Sequence, residues 1–252
     1  LDAATLDISG NADIDGTLEA DAYTLGGTSF IKIEGTNFTD SLLVGHSTTG
    51  TLDAATDNTG VGIGALDALT TGDNNTAVGQ DAGTVMTTGY GNTCIGSNAG
   101  VAITTSAYNT LVGQNAGDGI TTIGSYGNTA LGYYALQTVS SGGVNNTAIG
   151  RSSGSLISSG DWNVTVGALS GDNITSGSGN VVIGNADVSS ATGDDQLSIS
   201  DGEDGSVVWM TGDSSANVTF AAEVAAATLD ISGNIDIDGT SNLDAVDIDG
   251  AV

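Results

Sequence analysis

The sequence predicts an all-β chain: stacked β-roll or β-solenoid coils of about 17 residues, flanked by intertwined short-strand β segments, in an elongated homotrimeric fibre. Three observations predict it. A phrase of the form Asn-[Thr/Val]-x-apolar-Gly recurs eight times at near-constant spacing. Glycine supplies 40 of the 252 residues and proline none. Aromatic residues make up only 4%, so a thick core of large side chains cannot be filled. Small and β-branched residues mixed with Gly and Asn suit a thin, repetitive β structure instead.

The repeat comes first because its period decides the architecture. Its opening residue falls at Asn58, Asn75, Asn92, Asn109, Asn128, Asn146, Asn163 and Asn180, with gaps of 17, 17, 17, 19, 18, 17 and 17. The consensus is N-[TV]-x-[VIL]-G-x-x-[AS]-x-x-x-[ILVM]-[TS]-[TS]-G-x-x. Eight units occupy 58–196, and the eighth, NVVIGNADVSSATGDDQ, is degraded as terminal repeats usually are. The longer gaps read as turn insertions in TTIGSYG and SSGGVN. Seventeen residues are too few for a helical pair and suit one coil. Two short strands per coil are expected, one at N-T-x-V-G and one centred on the twelfth position, as in Met86-Thr87-Thr88 and Ile103-Thr104-Thr105. Glycines punctuate the bends.

Alternation gives the first strand two faces. The third position is mostly small (Gly60, Ala77, Cys94, Leu111, Ala130, Ala148, Thr165, Val182) and fits a narrow coil interior. The fourth is always apolar: Val61, Val78, Ile95, Val112, Leu131, Ile149, Val166 and Ile183. Stacked at about 4.8 Å, these eight form a stripe that marks an interface. They are the expected repeat-core and trimer-interface residues, three-fold association being the preferred number.

The flanks, 1–57 and 197–252, are expected to be β stalk segments. ATLDISGNADIDGT at 4–17 returns as ATLDISGNIDIDGT at 227–240, with apolar and polar residues alternating around Ser9-Gly10-Asn11 and Ser232-Gly233-Asn234 turns. Strands this short call for partner chains. Residues 197–222 read as further strands with a DGEDG turn, and EVAAA at 223–227 is a weak helical signal.

Charge excludes several classes of function. Lys32 and Arg151 stand against 30 acidic residues, a formal net charge of −28. Nucleic-acid binding needs cations to displace counterions, so it is not expected. Anionic membrane surfaces are equally disfavoured, and no apolar run is long enough for a membrane-spanning helix. The lone Cys94 forbids an internal disulfide and a zinc cluster. No signal peptide is visible, and from a start at Leu1 in place of Met a segment of a longer protein is expected.

The N-T-A-[VI]-G-x-x-A units resemble the Asn-Thr-Ala-Val-Gly repeats of long phage tail fibres, especially those of phages of aquatic bacteria. They are similar in pattern to the S-V-A-I-G units of trimeric autotransporter adhesin heads. LDISGNIDIDG resembles the strand repeats that flank such units in tail proteins, often ahead of an intramolecular chaperone domain. The resemblance covers nearly the whole chain. It implies a homotrimeric, virion-attached, extracellular fibre whose partners are other tail or baseplate proteins, with a host surface glycan as a further candidate. No chaperone or receptor-binding tip is recognisable, so the implied role is that of a shaft.

Chemical alternatives are weaker. Alternate aspartates in Asp13-Ile14-Asp15-Gly16, Asp236-Ile237-Asp238-Gly239 and Asp247-Ile248-Asp249-Gly250 would offer oxygen ligands to Ca²⁺. No complete calcium loop is present, and a solvated strand face explains them; no cofactor is expected. One Thr or Ser pair per coil, from Thr70-Thr71 to Thr175-Ser176, raises an ice-binding ladder, although Thr is simply a good strand residue. The eight Asn are read as turn residues that bond neighbouring backbone, with a stacked amide ladder as the companion possibility. Tyr90, Tyr108, Tyr126 and Trp162 fall at the coil ends, where they pack on a neighbouring chain or touch glycans. His46, the single histidine, has no Ser or Asp at a defensible triad spacing, and Cys94 reads as a small interior residue. An enzyme is not expected. The expectation is a trimeric tail-fibre shaft; the alternatives are a bacterial trimeric surface adhesin and an ice-binding or calcium-binding roll.

Overall fold

The computed structural model describes residues 23–25, 28–35, 38–44, 52–121, 124–140 and 142–222. These contain fifteen strands and no helix. The segments 4–17 and 227–240, the three DIDG stretches, EVAAA and His46 lie outside the described residues.

Strands β1 (Tyr23–Leu25), β2 (Thr28–Gly35) and β3 (Phe38–Val44) form an antiparallel meander. The two-residue β4 (Ala55–Thr56) pairs with β3 alone. The repeats then supply one strand each: β5 (Thr59–Val61), β6 (Thr76–Val78), β7 (Thr93–Ile95), β8 (Thr110–Val112), β9 (Thr129–Leu131), β10 (Thr147–Ile149), β11 (Val164–Val166) and β12 (Val181–Ile183). Every neighbouring pair is parallel, and equivalent residues face each other without slip. β13 (Leu197–Ser200) continues the parallel stack, and β14 (Val208–Gly212) and β15 (Val218–Phe220) close it with an antiparallel meander. A β-solenoid of 17-residue coils is thus the fold.

The solenoid is longer than its sequence consensus. β3 pairs with β5 in the repeat's own register, Leu42 opposite Thr59 and Val44 opposite Val61. Ser41 stands where an Asn would, so the first coil starts at Ser41 and not at Asn58. Gln196 takes the same place at the other end, sixteen residues after Asn180. The described part of 1–57 is therefore partly meander and partly coil.

The second strand expected in each coil does not form. Residues around Met86-Thr87-Thr88 and Ile103-Thr104-Thr105 are bends. The amides of Thr70, Thr71 and Gly72 all converge on one acceptor, the Thr87 carbonyl, at 2.9, 3.2 and 3.3 Å. Three donors on one oxygen require a tightly curved backbone, whereas a strand distributes its bonds along a ladder. The Thr-Thr-Gly corner turns the chain before a second ladder can start.

The core is the inside of this thin coil. The third-position residues Ala77, Cys94, Leu111, Ala130, Ala148, Thr165 and Val182 are all fully buried. Opposite them lies the twelfth-position column: Leu69, Met86, Ile103, Ile120, Val139, Ile157 and Ile174, also fully buried. Each of these large side chains contributes about 1.5–3 kcal/mol by leaving water, so this column is the main apolar stabilisation of the stack. The eighth position of one coil meets the third of the next: the hydroxyl of Ser153, in the coil that opens at Asn146, donates to Thr165 Oγ1 at 2.7 Å. At Gly60 the missing side chain is covered by Leu43 and Leu66.

Glycine at the fifth position has two reasons. Gly113 has φ of +136°, and a Cβ there would lie 2.5 Å from the Gly132 carbonyl oxygen of the next coil. Its counterparts in the other coils share this conformation and this approach, so the corner admits no side chain.

Candidate functional surface

The in-register strands sort the repeat into columns. On the outer sheet face the fourth-position residues run Val44, Val61, Val78, Ile95, Val112, Leu131, Ile149, Val166, Ile183 and Ile199 without a polar interruption. The antiparallel meander extends the same face through Met210 and Phe220. None of the eight predicted members is buried in the single chain, and Leu131 reaches 47% exposure. Beside them runs a second column, Thr59 to Thr147, which turns aliphatic at Val164, Val181 and Leu197. The insertions after Asn109 and Asn128 leave the face unbroken, because they fall in the turns and both strand pairings keep their register.

Just inside this face stands the Asn column. All eight Asn are buried, and the left-handed bend belongs to the residue before each one: Asp57, Asn74, Gly91, Tyr108, Gly127, Asn145, Trp162 and Gly179. The side chains form an amide ladder rather than surface turns. The Asn75 backbone N–H and Nδ2 both donate to Asn58 Oδ1 at 3.0 Å, and Nδ2 also donates to the Gly89 carbonyl at 2.8 Å. The pattern repeats rung by rung to Asn180, which uses Asn163 Oδ1 at 3.0 and 2.9 Å. Ser41 Oγ begins it, accepting from the Asn58 N–H at 2.8 Å. Gln196 ends it. Its N–H and Nε2 donate to Asn180 Oδ1, and its own Oε1 accepts from Ser189 Oγ and the Ser190 N–H at 2.8 and 2.9 Å. The extra methylene lets Gln fold its acceptor back onto the coil before it, so no open oxygen is passed on. Consensus reading missed both ends; S-L-L-V-G at 41–45, one period upstream, carried the signal for the first.

The Thr pairs are also structural. The first hydroxyl of each pair donates to the carbonyl one coil on: Thr70 to Thr87 at 3.0 Å, Thr87 to Thr104 at 3.2 Å, Thr175 to Ala191 at 3.1 Å. Many acidic residues serve turns in the same way. Asp73 Oδ1 accepts from the Thr56 N–H at 2.8 Å and Asp161 Oδ1 from the Val144 N–H at 2.8 Å. Asp201 accepts amides across the DGEDG turn, including Gly205 at 3.0 Å and Val207 at 2.8 Å.

Cys94 is fully buried, and desolvation pushes its thiol up to about 12, so it stays protonated and un-nucleophilic. Among the described residues no three His, Cys, Asp or Glu side chains are placed to hold a metal ion. Asp172 is raised above 3.8 by partial desolvation and by the neighbouring Asp187 carboxylate; Asp118 is raised by desolvation. A carboxyl whose folded pKa exceeds its unfolded one favours folding when protonated, so this stability is present below the unfolded value near 3.9 and lost as the pH rises. Lowering the pH from 7 toward the unfolded value near 3.9 is expected to raise the melting temperature, aided by relief of self-repulsion. Asp172→Asn is expected to do the same at pH 7, read by circular dichroism. Below that range the sign reverses at Asp201, whose carboxylate is held below 3.8 by the Val207 amide first and then by those of Asp204 and Gly205.

No family model, curated protein or solved structure matches the chain.

Proposed function

We propose that the chain is a structural shaft segment, a homotrimeric tail fibre of a virion that holds a receptor-binding element away from the particle and so contributes to host attachment. The carrying observation is the outer aliphatic column, which continues in register from Val44 to Ile199 and stands uncovered on a single chain. A soluble monomer rarely exposes an apolar patch of this continuity. Two further copies would cover it, and the −28 charge would keep the assembled fibre soluble. The amide ladder and the Thr bonds fit the mechanical role, since they tie each coil to the next through directional contacts, buried in the ladder and part-buried at the Thr corner. In this reading the protein is extracellular, performs no catalysis and needs no cofactor.

Replacing Leu131 and Ile149 together by Asp tests it. Both side chains point away from the core, so the coil should survive with an unchanged far-ultraviolet spectrum. Two charges in the stripe should convert the assembly into 24.6 kDa monomers in sedimentation velocity. An assembly indifferent to both charges would remove the stripe from the interface.

A further inference from the structure

Beyond the shaft role, and independently of it, we propose that the coil corner around Tyr90, Tyr108 and Tyr126 is a binding site for a neutral oligosaccharide. Four observations converge there. The three rings are exposed (45%, 61% and 50%) and line one open cleft of about 580 Å³, within the size range of small-ligand sites. Tyr90 and Tyr108 meet edge to face at 5.0 Å and 82°, which fixes their orientation. Among the described residues the cleft lining carries no charged side chain, in a chain of net charge −28. Thr105 Oγ1, in that lining, and Ser125 Oγ, between the lining residues Gly124 and Tyr126, are the two buried side-chain oxygens without a hydrogen-bond partner among the described residues.

The repeat is altered at this point. Three residues before the next Asn, the regular coils carry glycine, as at Gly89, where a Cβ would lie 2.7 Å from the Ser106 carbonyl. Here the position is Ser106 and then Ser125, on either side of the start of the 19-residue coil. The rung bond from Asn109 Nδ2 to the Ser125 carbonyl stretches to 3.3 Å, against 2.8 Å at Gly89 and Gly160. The tyrosines gather beside this longer rung.

The chemistry of the cleft selects the ligand. A hexopyranose has an apolar C–H face, which stacks on aromatic rings, and a rim of hydroxyls, which both donate and accept. The hydroxyl-bearing residues of the lining, Thr105, Ser106 and the three tyrosines, favour a ligand of that kind over a purely apolar one. The neutral lining gives an ion nothing to pair with. The rings come from three successive coils, about 4.8 Å apart, a pitch comparable with the rise of one sugar unit in an extended glycan. The occupant is therefore a run of neutral sugar units in a polysaccharide rather than a free monosaccharide.

The test is saturation-transfer-difference NMR and titration of the full chain with cellotriose, maltotriose and chitotriose, alongside glucose, N-acetylglucosamine and glucuronate. At least one trisaccharide should bind with a dissociation constant of about 1–10 mM, at least fivefold tighter than its monosaccharide, with glucuronate silent. Tyr126→Ala and Tyr108→Asn place at each site a residue the repeat already uses there, as at Ala107 and at Asn74 and Asn145. Each should weaken binding at least tenfold with an unchanged melting temperature, while Trp162→Ala, an exposed aromatic outside the cleft, should leave it unaltered. Absence of binding by every trisaccharide at 50 mM, binding of glucuronate alone, or equal binding by the tyrosine variants would overturn the proposal. Loss of self-association in these variants without sugar binding by the parent would overturn it too, and would make the corner a chain–chain contact.

Discussion

Gly113→Ala is expected to lower the melting temperature by about 10–20 °C. Two costs combine. Alanine must hold a φ of +136°, and its Cβ must occupy a point 2.5 Å from the Gly132 carbonyl oxygen and 2.7 Å from its carbon. The obstacle is backbone on the neighbouring coil, so relief requires separating two coils and straining their strand pairing. Together these amount to about 4–5 kcal/mol. Two other glycines separate the causes. Gly142 has φ of +85° but nothing within 4 Å of its would-be Cβ, so Gly142→Ala should cost only about 1–2 kcal/mol. Gly202 has neither constraint, and Gly202→Ala should stay within about 0.5 kcal/mol. Thermal melts of the three variants, ranked in this order, are the predicted result. Equal losses at Gly113 and Gly142 would mean that coil contact is not what reserves the corner for glycine.

Asn146→Asp is expected to be nearly as damaging at neutral pH, by about 3–5 kcal/mol. Asn146 Nδ2 donates to Asn128 Oδ1 at 3.2 Å and to the Gly160 carbonyl at 2.8 Å, and its Oδ1 accepts twice from Asn163 at 3.0 Å. The carboxylate keeps the two bonds it accepts. Its second oxygen, however, faces two acceptors inside a fully buried column. Burial and the missing donor both raise the folded pKa of the new Asp above its unfolded value. Stability should therefore be retained below about pH 4 and lost as the pH rises. Asn146→Leu removes the same bonds with no charge, so its loss should be independent of pH. Denaturant melts at pH 4 and pH 7 separate the two, and a pH-independent loss in the Asp variant would show that the ladder tolerates a charge.

The period carried most of the fold. It located all eight repeat strands and assigned the small third position to the interior and the fourth to the outside. Both assignments rest on alternation, which survives in a three-residue strand. The second strand was misread because a twelfth-position aliphatic followed by two Thr looks β-forming in composition, while its geometry is set by the Gly that follows. The Asn column was legible as a repeat but not as buried. Nothing in one coil's sequence shows that its amide is completed by the coils before and after. Ser41 and Gln196 escaped the consensus for the same reason. They are recognised by what they do to the ladder's ends, one with a hydroxyl acceptor and one with a longer amide that turns back. The tyrosines were placed at coil ends by sequence, but the cleft that three of them share is built from successive coils, which no single coil's sequence shows.

The stripe was legible too, and it carries the functional reading. Its most direct test is sedimentation velocity of the unaltered chain at physiological salt, with the mass determined independently by light scattering. The account predicts an elongated species of three times 24.6 kDa, with no monomer at micromolar concentration. A single 24.6 kDa species over that range would contradict it, since the column from Val44 to Ile199 would then face water and could not be the seam of a fibre.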